Sequence, residues 1–284
     1  MNQIHIRLDR QRQIFERRLA VQVNTWLKSA ANLITKAVHN RFSKADESKF
    51  VDWSKIEEIG IGYVKPIIFD AFSQAGKSAY GIVGLTGAFD VYTVEAMEIV
   101  NKICSKLVKN ITNETKKALN SRISAAIEEG MNLRQIMGEL TSIIGLSDKQ
   151  TRTLVSFERW LAKEYPNMST SEMSRKLDQY KSKLINDRVS TIARTETARA
   201  QNYGYVEAMG SIGVTEYEFS IYPGACEEYC IPLNGNKFEA GEAEEIIPVH
   251  PNCRCILLPV INHKTLETPV RHFPESLTQP GEET

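Results

Sequence analysis

The sequence predicts an α+β protein: an N-terminal and central helical bundle followed by a small C-terminal α+β domain with a Cys/His cluster. Three observations lead there. Apolar residues recur near every 3.6 positions, punctuated by capping signals, as far as Gly210. Beyond Gly210 the apolar period changes to 2. Four of the five cysteines then fall within residues 226–255.

The first element is a basic amphipathic helix or helix pair. Ile14, Leu19, Val23, Trp26, Leu27, Ala30, Leu33, Ile34 and Ala37 lie near a helical repeat, with Arg7, Arg10, Arg12, Arg17, Arg18 and Lys28 interspersed. This reads as a docking arm, within a basic helical docking region over residues 1–88. Six glycines between 60 and 87, together with Pro66, predict that no long helix crosses residues 60–90, so that stretch reads as a connection.

Residues 89–184 read as a helical bundle with short connections. Gly130 is a stop followed by Asn132 as N-cap with Gln135 three residues on; Gly145, Ser147 and Gln150 repeat the pattern, as do Ser169 and Glu172. Between these boundaries run the stripes Ile111, Leu119, Ile123, Ile127, then Leu133, Ile136, Met137, Leu140, Ile144, then Leu154, Phe157, Leu161. Pro166 separates the last two helices.

Residues 185–262 form the C-terminal domain. Thr215, Tyr217, Phe219 and Ile221 alternate with Glu216, Glu218 and Ser220, which predicts a half-buried strand. Residues 255–261 are a second strand whose Pro259 marks an edge or an end. Asn234-Gly235 is a turn signal that would fold the segment between the cysteine pairs into a hairpin. Residues 263–284 lack periodicity and read as a flexible tail.

Composition excludes several classes. With 42% hydrophobic and 25% charged residues the chain is neither collagen, rod nor wholly disordered. No stretch approaches the eighteen apolar residues of a membrane span, and no apolar segment follows the basic N-terminus, so the expectation is a chain made in a cytosol, without a membrane partner. Net charge is zero but uneven. Residues 1–200 hold 31 Lys+Arg against 22 Asp+Glu, whereas residues 201–284 hold 4 against 13. A basic helical part joined to an acidic part places one face toward nucleic acid or an acidic protein.

The cysteine cluster is the strongest chemical signal. Zinc takes four N or S ligands, usually as two short pairs from different segments. Cys226 with Cys230 and Cys253 with Cys255 supply the pairs, and His250 stands near enough to replace one member. The gaps of three and one residues differ from the usual two. Disulfides, or reduced thiols packed as small hydrophobes, are the alternatives. A catalytic Cys253 with His250 as base is a third, without an evident orienting acid. Cys104 shares a stripe with Ile99, Ile103 and Leu107 and reads as core.

A second unusual feature is an acid on an apolar helix face. Val189, Ile192, Ala193, Ala200 and Tyr203 share that face, and Glu196 falls at its centre. A buried carboxylate needs a partner, and Arg199 at i+3, Arg194 or Arg254 could supply it. The expectation is a structural network of Arg194, Glu196, Arg199 and Arg254, with a catalytic acid as the alternative.

Together "IARTETARAQNYGYVEA", a strand, "CEEYCIPLNGNKF" and "PVHPNCRCILLP" resemble the phage Mu F-like minor head protein family, also called the phage head morphogenesis family. The resemblance covers roughly residues 89–260 and excludes 1–88. It implies a virion protein of the head interior, made in the host cytoplasm, that associates with the phage portal protein and with capsid or scaffolding proteins. Roles in assembly and in genome packaging or delivery follow. The charge pattern agrees: the basic N-terminal region would sit against packaged double-stranded DNA or an acidic portal surface, since phosphate contacts need only Lys and Arg. The resemblance points to Arg194, Thr195, Glu196 and Thr197, to Cys226, Cys230 and Gly235, and to His250, Pro251, Cys253, Arg254 and Cys255. It brings no catalytic activity. The competing class is an enzyme, either a zinc hydrolase or an ADP-ribosyltransferase-like fold with Glu196 or Glu245 as acid. Five candidate ligands in one cluster favour a closed structural site over the three-ligand open site of a catalytic zinc.

Overall fold

The computed structural model describes residues 3–44, 51–84, 89–132, 135, 138, 140 and 143–261. Long helices come first: α1 (Gln3–Lys44), α2 (Trp53–Ile82), α3 (Val94–Glu128), α4 (Asp148–Glu164) and α5 (Thr170–Gly210). Then follow β1 (Glu216–Ser220), β2 (Lys237–Glu239), α6 (Ala240–Ile246) and β3 (Ile256–Pro259), the strands forming an antiparallel sheet in the order β2-β1-β3. The architecture is therefore α+β. The tail expected over 263–284 and the stripe residues Leu133, Ile136 and Met137 lie outside the described residues.

The capping signals mark real boundaries. Asn132 and Gln135 bond reciprocally, each backbone N–H donating to the other's side-chain oxygen, at 2.8 and 3.1 Å. Ser147 and Gln150 make the same box before α4, and the Ser169 hydroxyl accepts from the Glu172 N–H before α5. Gly130 and Gly145 adopt positive φ (68° and 94°), the left-handed conformation that ends helices.

Two expectations about the N-terminal third are corrected. Residues 60–82 are not a connection: α2 runs unbroken through Pro66 and four glycines. Pro66 is exposed, and the carbonyl it leaves unpaired belongs to Gly62, also exposed, where water can take the bond. The buried glycines admit neighbours: a Cβ on Gly60 would stand 2.5 Å from the Trp26 indole, and one on Gly76 would stand 2.1 Å from the Phe89 ring. Nor is α1 a free arm. Leu19, Val23, Trp26 and Ile34 are buried in the core, the Trp26 indole N–H donates to the Ile56 carbonyl at 2.9 Å, and Arg12 and Glu16 are buried as well. Ile14, assigned to the stripe, is 52% exposed, because the buried face passes through Phe15 instead.

One cluster of buried apolar side chains runs from Phe15 on α1 to Leu257 on β3, crossing residues 88 and 184 without a break. Its tightest crossing is between α2 and α5, where a Cβ on Gly204 would lie 2.2 Å from the Phe72 carbonyl oxygen. On the other side of α5, the Asn202 amide donates to the carbonyls of Ala243 (2.9 Å) and Glu244 (3.2 Å), closing the C-terminal end of α6. Tyr217 and Phe219 point inward from β1, both fully buried, and the Tyr217 hydroxyl donates to the Val206 carbonyl. β3 is an edge strand ending at Pro259, as its proline implies. The hairpin differs from expectation. Gly235 (φ 80°) turns the chain so that β2 pairs with β1, and α6 then returns the chain toward the second cysteine pair.

Candidate metal centre

The three-residue gap of the first pair has a simple backbone cause. Residues 226–230 form a helical turn, with the N–H groups of Cys230 and Ile231 both donating to the Cys226 carbonyl at 3.1 Å. Positions i and i+4 of such a turn share a face, so both sulfurs point the same way. The second pair uses the other periodicity. Asn252 at φ 66° turns the chain, the Cys253 N–H donates to the His250 carbonyl at 3.1 Å, and the chain then runs extended into β3. Alternate residues of an extended chain share a side, so Cys253 and Cys255 face the cluster while Arg254 faces α1.

All five expected ligands converge, in two groups of three. The ligand atoms of Cys226, Cys230 and His250 lie within 4.8 Å of one another, as do those of Cys230, Cys253 and Cys255. These groups could hold a metal ion. Cys230 belongs to both, and its sulfur is 3.1 Å from His250 Nε2. The other ring nitrogen, Nδ1, lies 2.8 Å from the Pro251 carbonyl. A carbonyl only accepts, so Nδ1 carries a proton, which leaves Nε2, on the side of Cys230, as the nitrogen that would serve a metal. All five cysteines are free thiols, so the disulfide alternative does not describe this state.

Burial and mutual hydrogen bonding spread the thiol acidities apart. Cys253 is brought down to about 5, chiefly because the Cys255 thiol donates to its sulfur, with backbone N–H groups and His250 adding to this against burial. Cys255, the donor in that bond, is pushed far up. Burial raises Cys230 to about 11. Cys226, at the rim, is lowered chiefly by the Tyr229 N–H, which meets its sulfur at 3.3 Å. An ion binding here displaces the remaining thiol protons. Cys104 is elsewhere, buried on α3, with burial raising its thiol to about 12.

The residues expected to form one ionic network separate into two. Glu196 pairs with Arg199 at 3.0 Å, and burial raises its carboxyl despite Arg199 and Lys106. Arg194 and Arg254 instead meet α1. Arg254 bonds Asp9 through Nη1 and Glu16 through Nη2 (3.3 Å), and the half-exposed Arg194 stands 3.9 Å from Glu16. Beside them the buried Arg12 donates to the Gln201 side chain at 3.0 Å. Asp9, Arg12 and Glu16 were missed. Their spacing continues the stripe of Leu19, Val23 and Trp26 toward the N-terminus, and only their charge disguised them as surface.

The "RTET" helix and the "HPNCRC" loop also meet directly: the Thr195 hydroxyl donates to the Thr191 carbonyl at 2.7 Å and accepts from the Asn252 N–H at 3.1 Å. Thr197 is wholly buried. Glu245, the other acid considered, is exposed and pairs with Lys102 at 3.5 Å. Among the described residues no helix is long and apolar enough to cross a membrane. No family model, curated protein or solved structure matches the chain.

Proposed function

We propose that this chain is a bacteriophage minor head protein acting in head morphogenesis, a structural component whose C-terminal domain is stapled by structural zinc. It associates with the portal and with capsid or scaffolding proteins in the head interior, and its basic surface lies against packaged double-stranded DNA. The observation that carries this reading is the meeting of the segments that resemble the Mu F-like family. Thr195 of "RTET" holds the loop of "HPNCRC", whose sulfurs close on those of "CEEYC". Segments far apart in sequence thus define one module.

Zinc is the ion such a donor set selects, since thiolate and imidazole together suit a borderline d10 cation. Its contribution is cross-linking: the small sheet is held to α5 by few strands, and a bound ion adds folding free energy that the short strands lack. A structural role for Glu196 is supported by its closed ion pair with Arg199, which engages its carboxylate on α5 itself. The surplus of basic residues before position 200 supports contact with phosphates or an acidic portal surface, weakening with salt.

The test is co-purification of the chain with the portal protein encoded in the same genome, and its detection in virions and precursor heads. Recovery with the portal and in heads is expected. Absence from virions and precursor heads alike overturns the assembly role.

A further inference from the structure

We propose that the thiol cluster is built for two ions, with the sulfur of Cys230 bridging them; this rests on the metal reading above and goes beyond its single closed site. A lone tetrahedral ion needs four donors that are mutual neighbours. At metal–ligand distances of roughly 2.0–2.3 Å, tetrahedral angles put those donors within about 4 Å of one another. The five donors here are not such a set. They form two threes, each within 4.8 Å, that overlap only at Cys230.

Each three is fixed by its own backbone device. The outer one comes from a helical turn and an imidazole whose Nδ1 is held at 2.8 Å by the Pro251 carbonyl; the inner one adds the i, i+2 pair of an extended chain. A thiolate has lone pairs enough for two cations, and Cys230 stands where both threes meet.

Charge favours the same count. Cys230, Cys253 and Cys255 are each 1% exposed, and a buried site tolerates little net charge. Four thiolates around one divalent ion leave two negative charges, whereas around two they leave none. The cations nearby are already engaged: Arg254 is bonded to Asp9 and Glu16, and the buried Arg12, whose charge acts on Cys253, faces the same two carboxylates.

Both ions can complete their shells. Cys226 and His250 are only half-buried, so solvent reaches the outer position. On the inner side, a cavity of about 30 Å³ adjoins Cys255 and is lined by Arg12, Gln201 and Tyr205, whose buried hydroxyl has no hydrogen-bond partner among the described residues. That volume suits one water-sized ligand. The ion is a thiophilic divalent d10 cation, zinc or cadmium.

The test is stoichiometry. The full chain is stripped with chelator under reducing conditions, reloaded with Zn2+, desalted and measured by elemental mass spectrometry. The proposal expects about two zinc per chain in the wild type and about one in Cys226→Ala, which leaves the inner three intact. Cadmium NMR of the reloaded chain, which needs no variant, should give two resonances. One zinc per chain with one resonance overturns the bridged pair while leaving the single structural zinc. No zinc overturns both, and two zinc retained by Cys226→Ala places the second ion elsewhere and overturns the bridge.

Discussion

The backbone N–H of Asn252 donates to the hydroxyl of Thr195 at 3.1 Å, so the loop bearing three of the five donors is moored to the middle of α5. Replacing Thr195 by Val keeps the shape and removes the acceptor. The expected loss is about 1 kcal/mol in urea unfolding, with Thr195→Ser restoring most of it. A Val variant as stable as wild type would show that the mooring contributes nothing.

Arg254 and Arg194 both approach Glu16, and their substitutions should differ sharply. Arg254→Met leaves Asp9 and Glu16 without their main cation in a mostly buried place, which should cost on the order of 3 kcal/mol. Arg194 is 48% exposed at 3.9 Å, and Arg194→Met should change stability by less than about 0.5 kcal/mol. Equal effects in denaturant titrations would contradict this division.

Two glycines in long helices make a matched pair. Gly204→Ala drives a methyl group into the Phe72 carbonyl, a backbone atom that cannot swing aside, and should cost roughly 2 kcal/mol or more. Gly62→Ala meets nothing within 4 Å and should gain up to about 1 kcal/mol from helix propensity. Thermal unfolding of the two variants should therefore shift in opposite directions.

Glu196 should make stability fall with pH. Burial raises its carboxyl above the ordinary value, so the folded state holds the proton more tightly than the unfolded chain. That favourable contribution is complete below the unfolded-state value and is lost as pH rises through the folded-state value. Glu196→Gln imitates the protonated form and should gain on wild type as pH climbs from about 4 toward 7. If wild type instead gains on the variant over that range, the Arg199 ion pair outweighs burial and the sign is reversed.

Legibility from sequence followed locality. Caps such as Ser147 with Gln150 depend on neighbours three residues away, and the alternation of Tyr217 and Phe219 depends on neighbours two away, so both were readable. The five donors were readable because cysteine is scarce in this chain, though their division around Cys230 required geometry. Pairings across long separations were hidden. The indole of Trp26 against Gly60, Phe72 against Gly204, and Arg254 against Asp9 are each satisfied only when distant helices arrive. Without those partners Gly60 and Pro66 looked like breaks, and Arg12 looked like solvated surface.

The extended run from Cys253 to Cys255 imposes a phase as well as a composition. Its two sulfurs and its guanidinium serve opposite neighbours because they occupy odd and even places. Insertion of a single residue after Cys253 would keep every side chain present yet exchange the destinations of the two that follow, bringing a sulfur against Asp9 and the guanidinium among the thiols. The interval between these residues therefore matters to the site as much as their identity.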